Sequence, residues 1–468
     1  MYAIKNNLTT LNNCSSKCYW VLAEGRQLIA RIGATMTKDE GNLAVRQRAA
    51  NERRVVVTGV GAVTTIGIGK TKLWEGVRRE KSAIRRITRF DPSPFKSQLA
   101  GEVDDFDPQD YIEDHKKLRR LDRYSTFGMA AAMMAVQDAK LDLTAADCPY
   151  GLEEIGIYMG SALGGVVFSE EQHEIYLKEG PRAVNPMLAL SVFIGAVSTN
   201  IAMDLGINGP NIANANSCAS GAIAIGEAFR LIKSGGARAM LAGGCEVPLS
   251  PLAYGAFSLI RAMSVSNETP ELACRPFDRD RDGFIMAEGS AVLVLEELET
   301  AVQRGAPIYA EVLGYGTSND AFHMAAPLPS GEQAARCVRL ALHEAALLPT
   351  DIDYINAHAS STPLNDKTET VAIKKVFGDL AYQIPISGTK GMHGHSLGST
   401  GAIEAVICQL IVQNDWLPPT VNLQHPDPEC DLDYIQGHGR EQRVQHILSN
   451  SFGFGGINAA LIFGRYDK

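Results

Sequence analysis

The chain reads as an α/β protein built from two similar halves, and three observations carry that reading. Short apolar runs rich in Val and Ile alternate with longer stretches whose apolar residues recur at helical spacing. The pattern then starts over: Val55 to Gly61 reads as a buried strand entering a glycine turn, and Ile308 to Gly316 repeats it. In each half a strand also leads into small residues and then a buried helix, once around Cys218 and once after His395.

Taken in order, residues 1–52 stand apart as an N-terminal extension. They mix Lys and Arg with Asp and Glu, whereas a transit peptide is poorer in acids, and no apolar core follows the basic start. Met36 is an alternative start. The first half is set at 53–305 and the second at 306–468. After the strand at Val55, Thr64 stands where the third glycine of a dinucleotide loop would be, which argues against nucleotide binding. Trp74 to Arg79 reads as a helix, and Phe90 to Tyr111 as a surface loop rich in Asp, Pro and Phe. The basic run His115 to Arg123 enters an Ala/Met-rich helix over 125–140; it is a solvated face or a docking patch for an acidic partner. Ile155 to Gly160 and Ala237 to Gly244 read as buried strands.

Arg275 to Phe284 opens like a calcium loop, with Asp278, Asp280, Asp282 and Gly283 at the right offsets. Gly289 stands at the twelfth position where the bidentate Glu belongs, so internal salt bridges are expected instead. The second half continues with a helix near 331–347, strands at Tyr354 to Ala357 and Ile384 to Ser387, a helix at 398–412, and strands at Ile447 to Ser451 and Ala459 to Phe463.

Net charge is −9, which argues against nucleic acid as the main partner. Nine scattered cysteines without a framework point to a reducing compartment, cytoplasmic by default, with an organelle open if the extension targets one. No apolar run is long enough for a membrane span.

The chemistry concentrates on Asn214 to Ala222. Cys218 sits between a short strand and a buried helix, where unpartnered first-turn amides and the helix dipole favour a thiolate and offer an oxyanion site. On that stretch alone an inert buried cysteine is the commoner reading. His358 ends a strand before Ala359-Ser360-Ser361-Thr362-Pro363, and Lys390 and His395 lie in a glycine-rich segment, Gly388 to Gly398; singly each has a structural reading. A thiol nucleophile needs a nearby base or positive field, and two histidines can hydrogen-bond a carbonyl.

Together these segments resemble the β-ketoacyl-(acyl carrier protein) synthases, type II, of the thiolase superfamily. The motifs are Asn216-Ser217-Cys218-Ala219-Ser220-Gly221, Asn356-Ala357-His358, Gly388-Thr389-Lys390 with Gly394-His395, and Asn450-Ser451-Phe452-Gly453-Phe454-Gly455-Gly456. They occur in family order, and the Cys–His spacing, 358 − 218 = 140, is also that of the family. The resemblance implies a five-layered α-β-α-β-α thiolase-like fold and a decarboxylative condensation without cofactor or metal. In that chemistry Cys218 becomes an acyl thioester, and His358 and His395 bind the malonyl thioester carbonyl as neutral donors. Lys390 supports His358, and the amides of Cys218 and Phe454 hold the oxyanion. Phe454, with Phe452, is expected to gate the site; Leu163, Ser217 and Phe257 to line the acyl pocket; and Lys116, Arg119, Arg120 and Arg261 to dock the acyl carrier protein. A homodimer is implied, or a heterodimer with a chain-length factor in a polyketide system.

Three positions depart from the family pattern: Ser217 where Ala is usual, Ala359-Ser360-Ser361-Thr362 for Gly-Thr-Ser-Thr, and His393 for Thr. The first two open the way to a specialised ketosynthase for polyketides, polyenes or modified fatty acids. His393 with His395 lacks a third ligand for a metal. A non-catalytic chain-length factor would lack Cys218, a priming decarboxylase would carry Gln there, and a biosynthetic thiolase would carry a second reactive Cys near the C-terminus.

Overall fold

Two stretches of valine and small residues, Val55–Thr64 (β1) and Ala310–Asn319 (β6), lie side by side at the centre of the molecule. The structure is a computed structural model and describes residues 53–467; the extension at 1–52, with Cys14, Cys18 and its targeting reading, lies outside the described residues.

The first half continues with helix α1 (Arg123–Asp138), strand β2 (Ile155–Gly160), helix α2 (Ala196–Leu205), strand β3 (Asn211–Asn214) and helix α3 (Ser220–Lys233), then strands β4 (Ala239–Glu246) and β5 (Gly289–Glu297). The second half repeats the succession after β6. It comprises α4 (Glu332–Glu344), β7 (Tyr354–Asn356), α5 (Pro363–Phe377), β8 (Ile386–Ser387), α6 (Thr400–Asn414), β9 (His446–Gly453) and β10 (Ile457–Gly464). Strand order is β3-β2-β4-β5-β1-β6-β10-β9-β7-β8, so each half has the same order and the two are mirrored about the β1/β6 pair. β2 runs parallel to β3 and β4, and β7 parallel to β8 and β9; the remaining neighbours are antiparallel.

Apolar spacing decides the layers. Helices α1 and α2 bury their faces on one side of the first half-sheet, in a core that includes Phe127, Ala131, Ala135, Ile157 and Val197. Helices α4 and α5 cover the outer side of the second, with Val338, Ala341, Ile373 and Phe377. Helices α3 and α6 lie between the halves, sharing one core with strands of both. That gives the expected order α-β-α-β-α. From Arg53 onward the chain clusters as a single compact unit.

Two expectations are corrected. β1 does not turn at its glycines; it runs through Gly59 and Gly61 to Thr64. A Cβ there would lie 2.2 and 2.0 Å from the Ala135 and Ala131 carbonyls of α1, so these glycines let helix and strand close up. Gly314 and Gly316 in β6 meet Ala341 and Cys337 of α4 in the same way. Phe90 to Tyr111 is not simply a surface loop: Leu99–Ala100 pairs with Arg85–Arg86, and Phe90 and Phe95 pack on buried Tyr254 with centroids 5.5 and 5.8 Å away.

In Arg275 to Phe284, Arg279 pairs with Asp280 (3.7 Å) inside the segment, as expected, while buried Arg281 pairs with Asp427 (2.6 Å) and Asp366 (3.7 Å) from elsewhere. Asp278, Asp280 and His425 sit close enough together to share an ion, but Asp278 already accepts the amides of Gln424, His425 and Asp280. No helix among the described residues is long and apolar enough to cross a membrane.

Candidate active site

Chemistry gathers past the carboxyl ends of the parallel strands, where open α/β sheets place their ligands. After β3 the backbone turns sharply: Ser217 takes φ 51°, Ser217–Ala219 forms one 3-10 turn, and α3 begins at Ser220. After β8 the chain makes the short helix Lys390–His393. A matching 3-10 turn, Leu397–Ser399, with Leu397 at φ 42°, then leads into α6. The duplication therefore sets Cys218 and the His395 segment against each other at the N-terminal ends of the two central helices.

His395 Nε2 lies 3.1 Å from Cys218 Sγ, and its Nδ1 lies 2.9 Å from Thr400 Oγ1. The His358 ring stands 5.4 Å from that of His395, nearly perpendicular. Phe284 packs edge-on to His395 at 5.3 Å, and Phe452 tilts over His358 at 5.9 Å. Lys390 does not touch either ring. Its ammonium donates to the His358 carbonyl and to Glu404 Oε1 at 2.5 Å, with both side chains fully buried. Glu369 accepts the amides of His358 and Ala359, both at 2.8 Å. Glu246, at the end of β4, accepts the amides of Ala162, Leu163 and Gly398 and so ties the two halves together beneath the site.

Burial, then the Lys390 charge, pushes both His358 and His395 well below the ordinary imidazole range, so both rings are neutral at physiological pH. The thiol departs from expectation. Burial raises Cys218 to about 12, against the opposing pull of Lys390 and of the Phe454 and Cys218 amides. The helix terminus is outweighed because Sγ lies in an apolar cluster with Leu249, Met263, Phe284 and Leu397. Alkylation of Cys218 by iodoacetamide is therefore expected to accelerate about tenfold per pH unit up to pH 10. A plateau near pH 7, measured by intact mass, would contradict a protonated resting thiol.

A cavity of about 270 Å³ reaches this point, lined by Cys218, His358, His395, Phe284, Phe452 and Phe454. Exposed Ile260, Arg261 and Leu364 also line it. The β9–β10 turn lies over Cys218: a Cβ on Gly453 would sit 3.2 Å from its amide nitrogen. Phe454 stacks on Phe257 (6.3 Å, 14°), and both belong with Leu163 to the apolar cluster around Cys218. Leu163, Ser217 and Phe257 do not line the open cavity; the Phe454–Phe257–Phe284 rings close that side.

Of the basic residues, Arg261 alone lines the cavity. Lys116, Arg119 and Arg120 are exposed elsewhere, while Lys117 pairs with Asp204 and Arg123 turns inward onto Glu288. His393 bonds Thr389 at 3.1 Å and stays outside the cavity lining. Sequence reasoning passed over Glu246, Glu369, Glu404 and Thr400. Glu404 left a signal, as the one charge within the apolar run of α6, and so did Glu246 at the end of apolar β4.

With the geometry in view, comparisons place it among known proteins. The model of the β-ketoacyl synthase N-terminal domain matches residues 52–301, and that of the C-terminal domain matches residues 309–424. The chain is 46% identical to 3-oxoacyl-(acyl-carrier-protein) synthase 2 of Synechocystis sp., over 89% of this chain and 99% of that protein. Among solved structures, the ishigamide ketosynthase/chain length factor is similar at TM-score 0.83 and 38% identity, covering 89% of this chain and 100% of that one. A type II polyketide synthase carrier protein in complex with its ketosynthase, AntDE:AntF bound to the hexaketide, is similar at TM-score 0.82 and 35% identity, with the same coverage.

Proposed function

The chain belongs to the β-ketoacyl synthase family, and from that premise we propose that Cys218, His358 and His395 perform the decarboxylative condensation that elongates a fatty acyl chain by two carbons. The observation that carries the assignment of residues is the 3.1 Å approach of His395 Nε2 to Cys218 Sγ within a cavity that His358 also lines.

Cys218 gives its proton to His395 Nε2 and attacks the acyl-carrier thioester; the departing pantetheine sulfur takes the proton. The malonyl thioester then enters with its carbonyl oxygen toward His358 and His395. Its Cα–carboxylate bond breaks, carbon dioxide leaves, and the electron pair forms an enolate that neutral imidazole N–H groups stabilise. Carbanion attack on the acyl-Cys218 carbonyl makes an oxyanion for the Cys218 and Phe454 amides. Collapse yields the 3-oxoacyl thioester and releases the Cys218 thiolate, which takes up a proton from water. Lys390 acts through the His358 carbonyl and its field, holding both rings neutral. Phe454 and Phe452 gate the site, and Leu163, Ser217 and Phe257 bound the acyl chain once the Phe454 ring moves.

The test is a reconstitution with acyl-carrier and malonyl-carrier thioesters, read by mass spectrometry of the carrier-bound product. A 3-oxoacyl thioester two carbons longer than the primer supports the reading. Hydrolysis of the primer alone would sink it.

Arg261 at the cavity, with Lys116, Arg119 and Arg120, forms the docking surface for an acidic carrier protein in this reading. The duplication units are 53–305 and 306–468. A second copy pairs against edge strand β3, whose neighbourhood exposes Leu190, Val192, Phe193, Met203 and Ile212. Light scattering should then read twice the chain mass of 50.4 kDa, and Phe193→Asp should lower it; an unshifted monomer in the wild type would refute the pairing. A chain-length-factor subunit on the same face is the second reading, favoured by the likeness to ketosynthase/chain length factor structures. Free cysteines at all seven described positions fit a reducing compartment such as the cytoplasm.

A further inference from the structure

Both ring nitrogens of His395 are engaged, whereas His358 Nδ1 has no partner. The partner of His395 Nδ1 is a hydroxyl, Thr400 Oγ1 at 2.9 Å, and Thr400 Oγ1 in turn lies 3.1 Å from Ser396 Oγ. All three side chains are buried. Thr400 is the first residue of α6, and no side chain caps that helix, so its hydroxyl is not spent on the helix terminus. The chain Ser396–Thr400–His395–Cys218 is thus a continuous run of four hydrogen-bonding groups that ends on the nucleophile.

We propose that Thr400, backed by Ser396, is a two-way positioning residue that supports His395 in either tautomer, so that Nε2 accepts a proton in the acylation half-reaction and donates a hydrogen bond in the condensation half-reaction. The inference rests on the site assignment above. The two half-reactions ask opposite things of one nitrogen. Acylation needs an Nε2 lone pair facing the Cys218 thiol, which puts the ring proton on Nδ1. Enolate stabilisation needs Nε2–H, which leaves Nδ1 as an acceptor. A backbone amide beside Nδ1 can only donate and would hold the ring in the second form. A backbone carbonyl would hold it in the first. A hydroxyl offers one donor and two acceptor lone pairs, and a second hydroxyl behind it lets the first turn round. Either oxygen of the Ser396–Thr400 pair can be the donor, as reversal requires.

The protons balance. In acylation the thiol proton goes to Nε2 and then to the departing pantetheine sulfur, and the imidazole ends neutral in the tautomer it began with. In condensation Nε2–H lends a hydrogen bond to the enolate, and the Cys218 thiolate freed on collapse takes up one proton from water, the proton that decarboxylation of a carboxylate consumes. Between the two, one ring nitrogen releases a proton to water and the other takes one up, with no net change. Burial and the Lys390 charge keep the ring neutral in both resting tautomers, and the imidazolium exists only while the thiol proton is in passage.

The test compares Thr400→Val, which removes the hydroxyl at nearly constant shape, with Thr400→Ser, which keeps it. Acyl loading of Cys218 and decarboxylation of malonyl-carrier thioester are timed separately. Thr400→Val is expected to slow both about tenfold, the loss of one hydrogen bond at a buried polar group, and Thr400→Ser to recover most of each rate. The ¹⁵N shifts of the His395 ring are expected to average between protonated and unprotonated values in the wild type and to settle at one tautomer in Thr400→Val. Unchanged rates in Thr400→Val overturn the proposal. So does slowing of one half-reaction alone, which marks a one-way partner, and so does an equal loss in Thr400→Ser, which marks packing. If Thr400→Val does not fold, Ser396→Ala carries the test: a smaller loss in both half-reactions supports the relay, and no loss overturns it. Failure of the wild type to load any acyl group would strike the site assignment itself, whereas a loading wild type matched by Thr400→Val strikes only this inference.

Discussion

Cys218→Ala is expected to lower condensation at least about 10⁴-fold, the scale seen when a covalent nucleophile is removed, while malonyl-carrier decarboxylation continues. The separation follows from the geometry. In the proposed mechanism the thiol holds the acyl group, while the enolate rests on His358 and His395, whose pKa values burial and Lys390 lower. The sulfur itself adds nothing to that stabilisation. Timing carbon dioxide release and 3-oxoacyl product in parallel checks it. Loss of both activities together, in a variant that still melts like the wild type, would mean that the thiol also takes part in decarboxylation.

Lys390→Met is expected to cost about 3–5 kcal/mol of folding stability, because it strips the partner from a fully buried carboxylate. The cost should depend on pH. Burial already raises Glu404 from 4.5 to about 7 against the pull of Lys390, and without the ammonium its folded pKa rises further. A carboxyl whose folded pKa lies above its unfolded one contributes stability at low pH and loses it as pH rises through the folded value. Urea unfolding of Lys390→Met should therefore show a deficit that grows between pH 6 and pH 9. Adding Glu404→Gln should flatten that dependence. A deficit equal at both ends of the range would mean that Glu404 is not the group left exposed. Since Lys390 also holds the His358 carbonyl, decarboxylation should fall on the order of 100-fold in the same variant, as for loss of one positioned donor.

Much of the site was legible in the residues because its parts are local. A strand, a run of small residues and an apolar helix announced the turn that presents Cys218, and the repetition of that pattern pointed to the His395 segment. What failed to show depended on partners distant in sequence. Gly59 and Gly61 read as a turn, since nothing near them reveals that Ala131 and Ala135 of α1 press on the strand. Phe90 and Phe95 looked like loop residues because the ring that receives them, Tyr254, lies far along the chain. The helix terminus at Cys218 argued for a thiolate, and only the assembled apolar cluster shows that burial wins. The carboxylates Glu246, Glu369 and Glu404 were missed because their partners lie on other elements, even where these are only 10 to 14 residues away, as for Glu369 and Glu404. Each serves amides or an ammonium brought from other elements, as Glu246 does for Leu163 in one half and Gly398 in the other. The basic residues expected to dock a carrier protein divide similarly: Arg261 lines the cavity, whereas Lys116, Arg119 and Arg120 are exposed and do not line it.

Intact-mass spectrometry of the wild-type protein after incubation with a panel of acyl-carrier thioesters, followed by peptide mapping, tests the acyl-enzyme most directly. The expected result is one added acyl group per chain, located on Cys218, and discharged when malonyl-carrier thioester is added. An acyl group on any other residue, or none with any chain length, would contradict the assignment of Cys218 as the nucleophile.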